Sequence, residues 1–158
     1  MPLIDWIDRC ENAASLWLNR LGGPFALVVR WYLGWQFWRS GSLKLQSWES
    51  TLGLFRDEYH VPLLPPGIAA YVGTAGELVF PILLFIGFAS RFGAIGMFAV
   101  NAMAVISYRH VLLGDGFEAA LGQHILWGTL ATYLIVHGPG WISLDHWLQR
   151  RLQPSAGG

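Results

Sequence analysis

Four side chains able to do chemistry sit inside stretches that are otherwise apolar: Arg30, Glu77, Asn101 and His124. A charge at the centre of a membrane helix costs roughly 3 kcal/mol, so such groups turn toward the bundle interior and pair there. Glu77 lies about ten residues, roughly 15 Å, into its stretch, which is near mid-membrane. Pro81 follows four residues later. Because proline has no N–H, the Glu77 carbonyl is expected to lose its helical partner, leaving a kink and a free acceptor beside the carboxylate. Arg30 is the cation expected to pair with Glu77. Such a pair either fixes helix register or, because a carboxylate exchanges protons, serves proton transfer or ligand binding.

A second group gathers by topology. If the apolar stretches cross a membrane in alternation, Arg39, Lys44, His60, Tyr108, Arg109, His110 and His124 fall toward one face. A quinone needs an apolar, aromatic cleft for its ring and donors for its carbonyl oxygens. Trp38, Trp127 and Tyr108 are candidate walls, and His124, Arg39 and Lys44 candidate polar contacts. The same residue types also anchor helices at any membrane interface. His110 and His124 on neighbouring helices could face each other as haem ligands do. No His-x-x-x-His, Glu-x-x-His or carboxylate cluster accompanies them, so neither a metal nor haem is expected.

The elements that must carry these residues are helical spans. A span needs roughly 20 apolar residues, and four stretches qualify: 24–41, 67–88, 92–113 and 119–137. The chain is 54% hydrophobic and 13% charged, and these stretches are apolar on nearly every side, as lipid-facing helices are. Within the first, Arg30 shares a face with Gly34, Phe37 and Gly41. Trp31, Trp35 and Trp38 form a separate stripe, turned toward lipid or a partner subunit. Small residues of the third, Gly93, Ala94, Gly96, Ala99, Ala102 and Ala104, predict close helix packing.

Residues 1–23 lack the continuous apolar core of a signal peptide. Leu3, Ile7, Cys10, Ala14, Trp17 and Leu21 recur at helical spacing, which predicts an amphipathic helix lying in the interface, broken by Gly22, Gly23 and Pro24. Trp48, Leu52, Phe55 and Tyr59 predict a second surface or re-entrant helix, ended by Pro62, Pro65 and Pro66. The short link GFASRFG forces an antiparallel hairpin. After Gly138-Pro139-Gly140, Ser143 is the expected N-cap of a short helix, followed by a disordered tail. The expected architecture is therefore an all-α integral membrane four-helix antiparallel bundle with three amphipathic helices. Its parts are residues 1–23, a membrane domain over 24–147, and 148–158.

Ten basic and ten acidic residues cancel, which removes the electrostatic drive for a nucleic-acid partner. The single Cys10 allows no internal thiol relay. Four spans put both termini on one side, with Arg9, Arg20, Arg91, Arg150 and Arg151 facing Arg39, Lys44, Arg56 and Arg109 across the membrane. Five against four favours cytoplasmic termini only slightly.

Several segments in order, WRSGSLKL at 38–45, FRDEYHVPLLPP at 55–66, ELVFPILLFIGFASRFGAIG at 77–96 and HGPGWISLD at 137–145, resemble the DoxX family of bacterial membrane proteins. By position, Gly41, Lys44, Glu77, Gly87, Arg91, Gly138, Pro139, Gly140 and Asp145 match positions that recur in that family. The resemblance implies a bacterial inner-membrane bundle with cytoplasmic termini and a loose redox association, since relatives include a subunit of a thiosulfate:quinone oxidoreductase. It implies no catalytic assignment.

Two functions compete. One is a quinone-associated redox subunit acting with a membrane or cytoplasmic partner, in which Glu77 moves a proton, Arg30 tunes it, and His124 with Tyr108 or Trp127 contacts the quinone. The other is a non-enzymatic membrane anchor or assembly subunit, in which the tryptophan stripe and the amphipathic segments dock a partner; a homo-oligomer is a further expectation. A small-molecule or metal-ion transporter ranks behind both, because four spans make a thin wall for a pathway.

Overall fold

A computed structural model describes residues 2–152, and for residues 2–5, 8, 9 and 13 it describes the backbone alone. The described residues form seven helices: α1 (Pro2–Gln46), α2 (Trp48–Asp57), α3 (Pro66–Ile86), α4 (Ser90–Ser107), α5 (Arg109–Leu112), α6 (Glu118–His137) and α7 (Leu144–Leu152). No strand occurs among the described residues. Among the described residues three helices, α3, α4 and α6, are long and apolar enough to cross a membrane.

The four long helices close a ring, with α1 on α3, α3 on α4, α4 on α6 and α6 back on α1. Each neighbouring pair runs antiparallel. Gly34 lies against Phe85 and Gly41 against Leu78; Gly76 meets Val100 while Gly93 meets Leu83. The core between them contains Val29, Leu33, Phe37, Leu84, Met97 and Leu134. Outward, large apolar side chains such as Trp31, Trp35, Val72, Phe92, Ile95 and Ile125 are exposed. A ring that is apolar outside as well as inside suits lipid rather than water.

The expected break at Gly22–Pro24 does not occur, and α1 runs through it as one 45-residue helix. Gly23 instead gives room to the Trp141 indole, which leaves no space for a Cβ there. Two glycines and a proline each cost helix stability on their own, but packing overrides propensity where a neighbour needs the space. At 1.5 Å per residue α1 is about 67 Å long, far beyond a hydrocarbon core of about 30 Å. Its first two dozen residues therefore continue past the ring, with Trp6, Leu16, Trp17, Leu18 and Leu21 exposed.

The third stretch also differs from expectation, because α4 stops at Ser107 rather than reaching residue 113. The Ser107 carbonyl accepts the His60 N–H at 3.0 Å, and Val111 N–H turns to the Tyr108 carbonyl instead. A loop thus takes the acceptor that helix continuation needs. α2 does carry Trp48, Leu52 and Phe55 on one side, with Tyr59 just beyond its end, but these pack on Ala69 and Ala70 of α3 instead of lying free on a surface. α3 continues through Pro81. Ser143 Oγ accepts the His146 N–H at 3.2 Å at the start of α7, as an N-cap does. The expected disordered tail, residues 153–158, lies outside the described residues.

Candidate functional site

Arg30 does not pair with Glu77. It is 1% exposed, and its guanidinium donates to the Leu84 carbonyl at 3.1 Å and to the Ile142 carbonyl. The last four carbonyls of a helix have no intrahelical donor. Leu84 lies in the last turn of α3, where the Gly87 and Phe88 N–H groups both go to Leu83, so Arg30 supplies a missing donor and a cation at the negative helix end. Gly87 ends α3 at φ 73° and presses against the same guanidinium, leaving no space for a side chain.

Asp145 completes this knot from the other side. Its carboxylate accepts the Ala89 and Ser90 N–H groups at 2.7 and 2.8 Å, capping the start of α4, while its own N–H donates to the Gly87 carbonyl at 2.9 Å. The loop before α7 is thereby tied to the α3–α4 hairpin. Arg30 and Asp145 are helix-capping groups here, and of the buried Arg30 guanidinium only Nε has no partner.

The partner of Glu77 is Lys44. Its Nζ lies 2.5 Å from both carboxylate oxygens and donates to Ser40 Oγ at 3.2 Å; Ser40 in turn donates to Glu77 at 3.3 Å. The two side chains keep only 16% and 10% of their surface exposed. Gly41 makes the pair possible. A Cβ there would lie 2.9 Å from Leu78 and 3.0 Å from the Glu77 Cβ, so only glycine allows α1 this close to α3. Thr51 of α2 donates to the Lys44 carbonyl at 2.9 Å and steadies the helix end that presents the ammonium.

The register explains the exchange of partners. Arg30 and Lys44 are fourteen residues apart, about 21 Å along α1. Antiparallel packing sets the first beside the C-terminal end of α3 and the second beside its middle.

Lys44 and Glu77 open onto a cavity of about 810 Å³ within the ring, roofed by α2. His124, Trp127, Tyr108, Tyr59 and Ser107 also line it, among mostly apolar neighbours such as Phe37, Phe55 and Phe80. Asn101 holds His124 in place. Its amide donates to the His124 carbonyl at 2.9 Å, so its oxygen faces the imidazole Nδ1 at 2.8 Å. That nitrogen then carries the proton in the neutral ring, leaving a lone pair on Nε2. The indole of Trp127 stands edge-on to His124 and Phe37, with ring centres 5.0 and 5.5 Å apart.

Two polar atoms on this lining, Trp127 Nε1 and Ser107 Oγ, are buried and have no hydrogen-bond partner. Toward the end covered by α2 the rings of Phe55, Tyr59 and Tyr108 follow one another at 4.9 and 5.2 Å. Burial, and after it the negative charge of Glu77, push the Tyr59 phenol above its ordinary pKa.

Of the residues singled out in the sequence, Lys44, Glu77, Tyr108, His124 and Trp127 meet at the cavity. Arg30 is the capping group described above, and Arg39 is exposed on the outside of α1. Trp38 packs on Phe85 rather than forming a wall. His110 faces His60, with ring centres 4.6 Å apart, and not His124. Among the described residues no group of three metal-ligating side chains occurs. Sequence reasoning missed Ser40 and Ser107, and treated Tyr59 only as part of a surface stripe. Ser40 was accessible, since it lies four residues from Lys44 and shares its helix face.

A ring of long apolar helices around a buried ion pair defines a multi-helix membrane protein. The DoxX family profile matches residues 25–110, more than half of the chain, and the protein belongs to the DoxX family. The matched segment holds Lys44 and Glu77 but ends before His124. An uncharacterized protein from Haemophilus influenzae is 28% identical over 131 residues, covering 78% of this chain and 82% of that one. No solved structure matches the chain.

Proposed function

We propose that the protein binds a lipid-soluble quinone in its cavity and serves as a redox-linked subunit beside a partner that delivers the electrons. The observation that carries this reading is a mostly apolar cavity of about 810 Å³ whose polar groups include a Lys–Glu pair, an oriented histidine, two tyrosines and two buried unpartnered donors. Ligand sites of this size are mostly apolar, with few polar groups to orient the ligand. A quinone supplies reversible two-electron, two-proton chemistry when bound. Trp127 Nε1 and Ser107 Oγ are unpartnered donors suited to a carbonyl oxygen. The free lone pair on His124 Nε2 suits a hydroxyl, and Glu77 is a carboxylate able to hold a proton beside it.

In this reading α1 crosses the membrane from about residue 24 as the fourth span, in a bacterial inner membrane with both termini cytoplasmic. The charge count supports that orientation better than the sequence alone suggests. Lys44 is spent on Glu77, so Arg39, Arg56 and Arg109 oppose the five arginines of the terminal side.

Thermal unfolding in detergent tests the reading. A quinone analogue at a hundred times its Kd should stabilise the wild type by about 2.7 kcal/mol, and His124→Phe should diminish the shift. No shift with any benzoquinone or naphthoquinone would refute it.

A second reading rests on α1, whose exposed Leu16, Trp17 and Leu18 continue past the ring and whose Trp31 and Trp35 are half exposed. These suit an anchor or assembly subunit that docks a protein partner. In that case replacing Trp31 and Trp35 by leucine abolishes co-purification of the partner while the chain stays folded.

A further inference from the structure

The cavity is closed on four sides, on one of them by Phe37 of α1 standing edge-on to Trp127 of α6. Gly41 against Leu78 seals α1 to α3, and Asn101 bonded to His124 seals α4 to α6. Phe55, Tyr59 and Tyr108 cover the end under α2. The seam between α3 and α4 is different. There Val72 and Val79 of α3 and Met103 of α4 line the cavity and are nevertheless 58%, 52% and 40% exposed. Ala75 and Ala99 lie between them, also lining the cavity and also exposed. Both helices are apolar enough to span a membrane, so this lining faces hydrocarbon rather than water.

What closes the seam further in is side chain against glycine. Val100 rests on Gly76 and Phe80 on Gly96, and neither glycine leaves room for a Cβ. A side chain lying over a glycine can change rotamer without moving backbone, whereas interlocked helices cannot part. The opposite ends of the hairpin are held by Gly93 on Leu83 and by the Asp145 cap. Any widening is therefore confined to the half of the seam that borders the cavity.

We infer that the site takes its ligand sideways from the bilayer through the α3–α4 seam, and that the ligand is a long-tailed lipid quinone whose ring sits by Lys44, Glu77 and Trp127 while its hydrocarbon tail lies between Val72, Ala75, Ala99 and Met103. The inference rests on the quinone reading above and adds the route and the tail site. A tail laid there exchanges contact with lipid for contact with protein and needs no polar partner. The ring alone meets the buried donors.

The test uses the whole chain in lipid nanodiscs and compares a quinone bearing a long isoprenoid tail with the same ring lacking a tail. Binding is read as quinone retained per chain after washing, over a concentration series. Ala75→Trp and Ala99→Trp fill the seam from its lipid side, where a larger apolar side chain is tolerated, and Ile95→Trp enlarges an exposed α4 residue outside the cavity lining as a control. The expected result is at least a tenfold weaker affinity for the tailed quinone in both seam variants, with the tail-less ring and the control unchanged. Unchanged affinity for the tailed quinone in the seam variants would overturn the inference and leave the quinone reading standing. Equal weakening for both ligands would overturn it too, because the ring pocket and not a tail path would have been damaged. A wild type that binds neither ligand sinks the quinone reading itself.

Discussion

Lys44 and Glu77 show how a charged pair is kept at membrane depth. Removing one partner of a buried ion pair leaves an uncompensated charge and costs roughly 3–5 kcal/mol, whereas replacing both with apolar groups is often neutral or better. Lys44→Met should therefore destabilise the protein by about that amount, and Lys44→Met with Glu77→Leu should recover most of the loss. Denaturant unfolding of the two single variants and the double variant measures it. Tyr59 offers a pH test at the same scale. Its phenol is raised by burial first and by Glu77 second, so the folded protein keeps that proton after the unfolded chain has lost it. Stability is complete below the ordinary tyrosine pKa and falls as pH rises through the raised one. In a phenolate absorbance titration Tyr59→Phe should remove one transition that lies above the ordinary tyrosine range. Glu77 was legible in the sequence as a costly charge in an apolar stretch. Its partner was not, because Arg30 and Lys44 were both available and only helix register chooses between them.

At the scale of elements, glycines and caps set that register. Gly41 is the contact that brings α1 to α3 at the level of Glu77. Gly41→Val should push the helices apart, separate Lys44 from Glu77 and abolish the quinone-induced thermal shift in a chain that remains helical by circular dichroism. The length and all-round apolarity of the stretches predicted α3 and α6 closely, and the short hairpin link correctly implied an antiparallel α3–α4 pair. The Gly22–Pro24 break and the long third span failed for related reasons. Each depended on a partner far away in sequence, Trp141 for Gly23 and His60 for the Ser107 carbonyl. Local propensity cannot register such partners. Asp145 is similar, since nothing in its surroundings in sequence shows that it caps α4. Asp145→Ala removes a charged acceptor from two backbone donors and should cost about 2 kcal/mol, with faster amide exchange at Ala89 and Ser90 as its local signature.

The whole molecule is a ring of four long helices in which capping and chemistry are separated. At the end nearer the termini, Arg30, Gly87 and Asp145 tie helix ends together. In the other half, Lys44, Glu77, His124 and Trp127 border the cavity. Sequence composition sufficed to recognise helices apolar on all sides, and residue order sufficed for the family. The cavity was not legible, because it is a void produced by four helices at one register with α2 laid across it. The most direct test of its role is mass analysis of the lipid extract from protein purified out of its native membrane. Approximately one quinone per chain is expected from the wild type, and little or none from the Lys44→Met, Glu77→Leu double variant. A wild type that carries no quinone, or a double variant that carries as much as the wild type, would contradict the account.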